Sequence, residues 1–286
     1  MKIAAIDIGT NAIKSKIFTT TPTSIEFIES KRTPMRLGTD VFKEGCLSDN
    51  KLSALTDVLE KYKKYFEDNK IEMYEIVATS AFRDTSNSED ARRIVENSIE
   101  HPIRIISGLE EAKLIRFHPK AQSSSNKIYV DIGGGSTEFY IHTKDKDYIQ
   151  SFQLGAVRNY LGMENKDEWQ RMFDWLAQHE NSMKLVGIGG NIRSFFNIYK
   201  MQSMTVEDFN IKASELSQLD KFEKKIKYNL NEDRVDVIDS AIDIYSQIIS
   251  RLSISKIKST RWGVSDSAAV KLFHELYSEK IQIKNN

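Results

Sequence analysis

The sequence lacks several features that would point to particular classes of protein. Its single cysteine, Cys46, cannot form an intramolecular disulfide bond or build a cysteine-rich zinc site. The five histidines show no metal-ligand spacing. Lysine plus arginine number 41, as do aspartate plus glutamate, so the net charge of +0 gives no overall attraction for polyanions. Any site for a polyanion must therefore be a local concentration of positive charge.

Long apolar runs and a targeting pattern are also missing. No apolar run approaches the roughly 18 residues that a membrane span needs, and the N-terminus enters a predicted strand at once, without a signal-peptide pattern. We therefore expect a cytoplasmic protein with neither a membrane nor a nucleic acid as partner. With 286 residues, of which 40% are apolar, the chain is long enough for two domains.

One stretch, residues 129–138, combines an apolar strand with a glycine turn and two carboxylates. The apolar run ends at Asp131, and successive glycines can adopt backbone conformations that aim several N–H groups at one anion. Asp131 and Glu138 would repel phosphate unless a cation lay between them, which predicts Mg²⁺ or Mn²⁺ bound through these carboxylates and phosphate oxygens. The alternative is an ordinary β-hairpin. The predicted phosphate-binding residues here are Gly133, Gly134, Gly135, Ser136 and Thr137.

A similar pattern occurs at the N-terminus, and a third glycine turn follows later. The first apolar strand ends at Asp7, which precedes Asp131 by 131 − 7 = 124 positions and suggests two similar halves. The third turn, within residues 187–191, precedes a predicted helix, and a helix N-terminus behind glycines can bind an anion. The predicted phosphate-binding residues in these turns are Asp7, Gly9, Thr10, Asn11, Gly189, Gly190 and Asn191.

Two arginines and one loop are further candidates for substrate contacts. Arg83 follows the predicted strand 74–78, at the strand end where open α/β sheets bind ligands, and a guanidinium can clamp phosphate in a bidentate manner. Arg36 lies in a predicted loop, where an arginine is commonly a surface cation, and only the resemblance to a known family that the motifs below carry implies a phosphate contact for it. Residues 153–158 form another candidate substrate loop.

The segment 107–112 supplies a candidate general base. Ser107 and Glu110 have the spacing of a helix-capping box, in which the glutamate turns back to the serine N–H. Glu111 lies about 100° further round the helix and can project away from the cap. We therefore predict Glu111 as the working carboxylate, while a helix-dipole role remains the alternative.

Together these motifs resemble the exopolyphosphatase/guanosine-pentaphosphate phosphatase family, within the actin/Hsp70/sugar-kinase superfamily. The resemblance covers nearly the whole chain, although longer members carry further C-terminal domains. The motifs are AAIDIGTN (4–11), RLG (36–38), ATSAFRDTSN (78–87), ISGLEEAKL (106–114), DIGGGSTEF (131–139), GIGGN (187–191) and RWGVSD (261–266).

The resemblance implies a fold and a reaction. It implies two α/β domains of the actin-like ATPase type with a cleft between them, a homodimer, and a catalytic glutamate in the segment that holds Glu110 and Glu111. The implied reaction is Mg²⁺-dependent hydrolysis of the terminal phosphoanhydride of inorganic polyphosphate or guanosine pentaphosphate. We expect short chains to be preferred, because the lysine-rich runs lie on predicted helices among acidic residues. Asn191 departs from the family's usual threonine.

Domain boundaries and two rival functions complete the sequence-based interpretation. The polar break at residues 118–126 predicts a first domain of 1–120 plus 269–286 and a second of 121–268. Two long helices are expected between residues 216 and 252. The rivals are a kinase of the same superfamily, for which no acceptor signature is present, and a non-catalytic sensor of guanosine penta- or tetraphosphate.

Overall fold

Two β-sheets, each with its own helices, make up the computed structural model, which describes residues 1–123, 126–179 and 183–284, with side chains as far as 278. The chain divides into two units, one of residues 1–107 with the chain from 264 onward, the other of residues 108–263. The α/β class predicted from the sequence is confirmed.

The first sheet has the strand order β3-β2-β1-β4-β5. Its centre is β1, which is buried at every residue after Lys2 because β2 pairs with it antiparallel on one side and β4 parallel on the other. β2 also pairs antiparallel with β3, on its other side. The strands are β1 (Lys2–Ile8), β2 (Ala12–Thr21), β3 (Ser24–Pro34), β4 (Met73–Ala78) and β5 (Ile103–Ile105).

The helices of the first unit cover this sheet. The helix over Asp49–Asp68 is capped by Ser48, whose hydroxyl accepts from the Lys51 N–H at 3.3 Å. It buries one apolar face. The last helix packs against β1, β2 and β4. The helices are α1 (Leu37–Glu44), α2 (Asp49–Asp68), α3 (Ser80–Arg83), α4 (Ser88–Ile99) and, at the end of the chain, α13 (Val264–Lys284).

The second sheet repeats the plan of the first. Its order, β10-β11-β9-β6-β7-β8, contains the same arrangement of an antiparallel meander and two parallel strands, with β10 added at the edge. The two similar halves suggested by the repeated motif are therefore present. The strands are β6 (Lys127–Ile132), β7 (Thr137–His142), β8 (Asp147–Phe152), β9 (Met183–Ile188), β10 (Ser203–Met204) and β11 (Ile254–Ser259).

The two long helices expected between 216 and 252 are divided more finely. Asp220 begins a new helix through a capping box with Glu223, and Asn229 ends it in the left-handed conformation, with φ 50°. The helices of the second unit are α5 (Gly108–Leu114), followed by a 3₁₀ turn (Ile115–Phe117), α6 (Ala156–Tyr160), α7 (Lys166–Ala177), α8 (Gly190–Ile198), α9 (Val206–Ser217), α10 (Lys221–Tyr228), α11 (Glu232–Val235) and α12 (Ile238–Ile249).

The units divide earlier in the chain than the sequence analysis placed the domain boundaries. Helix α5 packs against β7 and β8, so the change from the first unit to the second falls at Ser107/Gly108 and not at 120/121. Ala121 lies within the predicted linker but is buried in an apolar cluster with Tyr129, while residues 124–125 of that linker lie outside the described part. The chain returns to the first unit between Gly263 and Val264, and not between residues 268 and 269. Among the described residues, no helix is long and apolar enough to cross a membrane.

Candidate functional site

The first glycine turn joins β1 to β2 and is closed by its own backbone. The Gly9 N–H donates to the Ala12 carbonyl at 3.2 Å, and a side chain at Gly9 would meet that carbonyl oxygen at 3.0 Å. The Thr10 and Ser80 hydroxyls lie 2.6 Å apart, and both residues are buried. Asp7 is also buried and lies 3.3 Å from the Lys14 ammonium. The predicted residues of this turn therefore lie together at the end of β1.

Arg36 lies against this first turn. Its backbone N–H and that of Met35 donate to the Asn11 carbonyl at 3.0 and 3.1 Å, and the Gly38 N–H donates to Thr10 at 2.9 Å. Arg36 adopts the left-handed conformation, with φ 55°, and begins α1, so the segment predicted as a loop is the start of a helix. The structure thus places Arg36 beside Asn11.

Arg83 lies at the end of α3, with its guanidinium held by neighbouring groups. Its Nη1 donates to the Ile106 carbonyl at 2.8 Å, and its Nε lies 3.7 Å from Asp84 Oδ1. These contacts fix the side chain near the end of β5. The phosphate-clamp role stays a prediction.

The second glycine turn is held by the start of α6. The Gly133 carbonyl accepts from the Ala156 N–H, and the Gly134 carbonyl accepts from Val157 and Arg158, at 2.8 to 3.0 Å. Arg158 Nε donates to the Gly135 carbonyl at 2.9 Å. Because the peptide bonds of this turn are trans, the N–H of each peptide points opposite to its carbonyl. The N–H groups of residues 134–136 therefore point away from α6, as an anion-binding turn requires.

This arrangement gives structural roles to two further groups of predicted residues. Residues 153–158, predicted as a substrate loop, hold the carbonyl side of the glycine turn. A side chain at Gly155 would come within 2.5 Å of the Gly135 carbonyl carbon. Thr137, predicted to bind phosphate, is fully buried, and its hydroxyl donates to the Leu154 carbonyl at 2.6 Å. The Thr137 side chain therefore fixes the turn, and a phosphate contact of Thr137 stays a prediction.

Asp131 and Glu138 are directly opposite each other in the β6–β7 pairing. Such partners have Cβ atoms about 4.5–5.5 Å apart, and two like charges at that distance repel each other. Ser151 Oγ donates to Glu138 Oε1 at 2.9 Å, and Glu138 is fully buried. A bound cation would offset this repulsion.

The third glycine turn lies against the Asp131 carboxylate. Gly189 has φ +87°, and a side chain there would meet Asp131 Oδ1 at 2.6 Å, so only glycine fits. Asn191 is buried, its Nδ2 donates to the Ile132 carbonyl at 3.1 Å, and its Oδ1 accepts from Arg234. The Asn191 side chain therefore ties the third turn to the end of β6.

Arg234 is a residue that the sequence analysis missed. A side chain at Gly190 would meet Arg234 Nη2 at 2.6 Å, so the guanidinium lies directly against the third turn. No local signal marks Arg234, because it stands in the four-residue helix α11, 43 positions from Asn191. Lys14 was also missed, but its position opposite Asp7 follows from the β1–β2 register.

Glu110 and Glu111 differ sharply in environment. Glu110 is exposed on α5, whereas Glu111 is 8% exposed. A carboxylate is rarely buried without a structural or chemical reason. This contrast fits separate roles for the two residues, although the capping role of Glu110 stays a prediction.

Helix α5 and the paired carboxylates share one face of the second sheet. Ile115, directly after α5, packs in an apolar cluster with Tyr129 and Tyr140. Side chains alternate along a strand, so Asp131, two residues after Tyr129, and Glu138, two before Tyr140, project on that same face. We refer to it as the α5 face. The predicted catalytic and metal-binding residues therefore lie within one unit and on one side of its sheet.

The carboxylates suit a metal that takes most of its ligands from elsewhere. In the described ranges, no group of three or more histidine, cysteine or acidic side chains could hold a metal ion. Mg²⁺ commonly binds through one or two carboxylates and completes its shell with water and phosphate oxygens. Asp131 and Glu138 fit that mode and do not fit a closed protein cage.

Comparison with known proteins supports the interpretation of these motifs. The family model described as the Ppx/GppA phosphatase family matches residues 16–275. A Ppx/GppA family member from Aquifex aeolicus is 22% identical, with a TM-score of 0.77 and 98% of each chain covered. An exopolyphosphatase from Cytophaga hutchinsonii is 20% identical, with a TM-score of 0.84 and 96% of this chain and 98% of that one covered.

These structural likenesses establish the fold. They confirm the predicted architecture of two actin-like ATPase domains. The family match includes all the candidate residues of the second unit, while the first glycine turn precedes its start at residue 16. Because the family model matches most of the sequence, the chain belongs to the Ppx/GppA phosphatase family.

Proposed function

We propose that this phosphatase hydrolyses the terminal phosphoanhydride of inorganic polyphosphate or of guanosine pentaphosphate. The observation that carries the proposal is the second glycine turn, whose N–H groups at 134–136 point away from α6, next to the facing carboxylates Asp131 and Glu138. Such N–H groups can bind phosphate oxygens, and phosphoryl transfer depends mainly on positioning and charge stabilisation.

The candidate residues divide the work of the reaction. The N–H groups of the glycine turns bind the terminal phosphates, with charge added by Arg83 and Arg36. Asp131 and Glu138 would hold Mg²⁺ or Mn²⁺, which neutralises phosphate charge when bound. Glu111 orients a water molecule and accepts its proton as the water oxygen attacks the terminal phosphorus. The bond to the bridging oxygen breaks, which releases inorganic phosphate and a chain shorter by one unit.

Release of inorganic phosphate from tripolyphosphate, with no acceptor present, tests this function. The expected result is Mg²⁺- or Mn²⁺-dependent release that stops in excess chelator without unfolding. Asp131→Asn should raise the metal concentration required for half-maximal rate, whereas the exposed Asp174→Asn on α7 should leave it unchanged. Transfer of the terminal phosphoryl group to an added acceptor, without release of inorganic phosphate, would indicate a kinase, and binding of guanosine pentaphosphate without release would indicate a sensor.

Asn191, where the family usually has threonine, bears on the sensor alternative. Its side chain has a structural role, since it joins the Ile132 carbonyl to Arg234. A change from the family's usual residue at that position is therefore compatible with turnover. The homodimer stays a prediction, which light scattering after size-exclusion chromatography measures.

Arg234→Gln should weaken substrate binding more than it slows the chemical step. Arg234 positions the third glycine turn, because it donates to Asn191 Oδ1 and lies against Gly190. Removing a charged hydrogen-bonding partner costs about 1.5–3 kcal/mol, so we expect KM for tripolyphosphate to rise about 10- to 100-fold, with kcat much less affected. Arg251→Gln is the matched control, because Arg251 lies in the same unit but packs on the Phe173 ring. An equal rise in KM for both variants, or none for Arg234→Gln, would contradict a positioning role.

A further inference from the structure

Five lysines form a cluster on the second sheet that none of the functional motifs includes. They are Lys127 at the start of β6, Lys184 on β9, Lys256 and Lys258 on β11, and Lys120 from the segment before β6. We call this set the lysine platform. Its members are spread over residues 120–258, so no run in the sequence reveals it.

The strand register brings the platform together. Lys184 pairs with Lys127 on one side and with Lys256 on the other, and neighbouring strands lie about 4.8 Å apart. Lys256 and Lys258 flank the fully buried Ile257, so both point to the opposite face, where they are exposed. Because Lys127 is two residues before Tyr129, this is the α5 face.

The platform lysines differ from the lysines on the helices. Lys212, Lys221 and Lys225 each lie within 3.0 Å of a carboxylate oxygen. No platform lysine has an ion pair with a side chain that the structure describes, which leaves out 124–125, 180–182 and 279–286. The platform is therefore a concentration of positive charge on a chain with no net charge.

Repulsion between the platform lysines contributes to a lowered pKa at Lys127. Burial lowers the pKa of Lys127, and the charges of Lys120, Lys184 and Lys258 lower it further. Burial, followed by Lys127 and Lys120, lowers the pKa of nearby His118 to about 4, so that ring is neutral at pH 7. A bound polyanion would relieve this repulsion.

The platform leads to the third glycine turn. Directly after β11 the Thr260 N–H donates to the Gly187 carbonyl at 3.0 Å, and the Gly189 N–H donates to Trp262 at 3.4 Å. Asp131, which contacts Gly189, projects on the same face as the platform. Lys258 stands two residues before Thr260, so the lysines of β11 lead along that strand towards the third glycine turn.

We propose that the lysine platform binds the body of a linear inorganic polyphosphate chain while its terminal phosphates occupy the glycine turns. The proposal rests on the proposed function, since it extends the same substrate beyond the reacting end. Each lysine–phosphate contact releases counterions, as it does with nucleic acids, so affinity should rise with chain length and fall steeply with salt. This revises the short-chain preference expected from the sequence, which considered only helical lysines.

Binding of long-chain polyphosphate and of tripolyphosphate, titrated in the Glu111→Gln background, tests the platform. The variant Lys184→Gln/Lys256→Gln/Lys258→Gln should bind the long chain about 10- to 100-fold more weakly, with the salt slope reduced by about two. Tripolyphosphate binding should change less than about threefold. The matched control, Lys212→Gln/Lys221→Gln/Lys225→Gln, removes the same charge from ion-paired helix positions and should weaken long-chain binding less than about twofold.

Each outcome decides the proposal. The proposal would be overturned if the two triple variants weakened long-chain binding equally or not at all. It would also be overturned if single-stranded DNA of mixed sequence bound through the same lysines as tightly as polyphosphate. Should the platform triple fail to fold, Lys256→Gln/Lys258→Gln carries the same test with a smaller effect. Loss of long-chain binding in a protein that releases no phosphate would support the platform and refute the proposed function. Normal phosphate release, with no loss of long-chain binding in the platform variant, would support the proposed function and refute the platform.

Discussion

Glu111→Gln is expected to lower phosphate release by roughly 10²–10⁴-fold, the usual contribution of general acid–base catalysis. Glutamine has the same shape but cannot accept a proton from water. Glu111 is only 8% exposed, but glutamine has the same shape and can still hydrogen-bond, so the fold should persist. Steady-state kinetics with tripolyphosphate, alongside thermal unfolding, would measure both effects.

The neighbouring Glu110 provides the control. Glu110 is exposed on the same helix, and glutamine also suits a capping box, so Glu110→Gln should change the rate by only a few fold. The two variants remove the same charge one residue apart. An inactive Glu110→Gln beside an active Glu111→Gln would exchange their roles and refute the capping argument.

Gly155→Ala is expected to give the second-largest loss of activity, although Gly155 contacts no ligand in our proposal. The added methyl group would lie 2.5–2.6 Å from backbone atoms of Gly134 and Gly135, so the glycine turn must shift. Displacing a catalytic group by about 1 Å can cost on the order of 10²-fold in rate, and overpacking destabilises by about 1–3 kcal/mol. We expect a loss of that size in kcat/KM for tripolyphosphate.

Gly162→Ala separates the effect on stability from the effect on the turn. Gly162 has φ +67°, and no atom lies within 4 Å of the place that a Cβ would take, so alanine there adds about 1 kcal/mol of backbone strain and no collision. Its melting temperature should fall while kcat/KM stays within about twofold of the unmodified protein. If Gly155→Ala behaves in the same way, the 153–158 segment does not control the turn.

The strand-and-turn motifs could be predicted from the sequence because they are local. The apolar run before Asp131 and the glycines after it determine a strand and a turn without help from distant residues. The pairing of β1 with β2 likewise follows from a short connection, which is why Asp7 and Lys14 could have been matched. Glu111 was separated from Glu110 by helix geometry alone.

Contacts between distant segments could not be predicted in this way. Arg234 reaches the third turn from a helix with no distinctive pattern, and the platform lysines come together only through the parallel pairing of β6, β9 and β11. The boundary near residue 120 was inferred from polar composition. Packing of α5 on the second sheet, a tertiary contact, overrides that local signal.

The division of the chain at Ser107/Gly108 and Gly263/Val264 also bears on the order of events during synthesis. The second unit is continuous, so all of its strands and helices have left the ribosome before the first unit is complete. The first unit must wait for α13, which covers β1, β2 and β4. Domains generally fold as units while the chain emerges, N-terminal parts first. Here the N-terminal sheet, although made first, would be the last to gain its full cover, and until then the apolar side chains that α13 covers stay exposed.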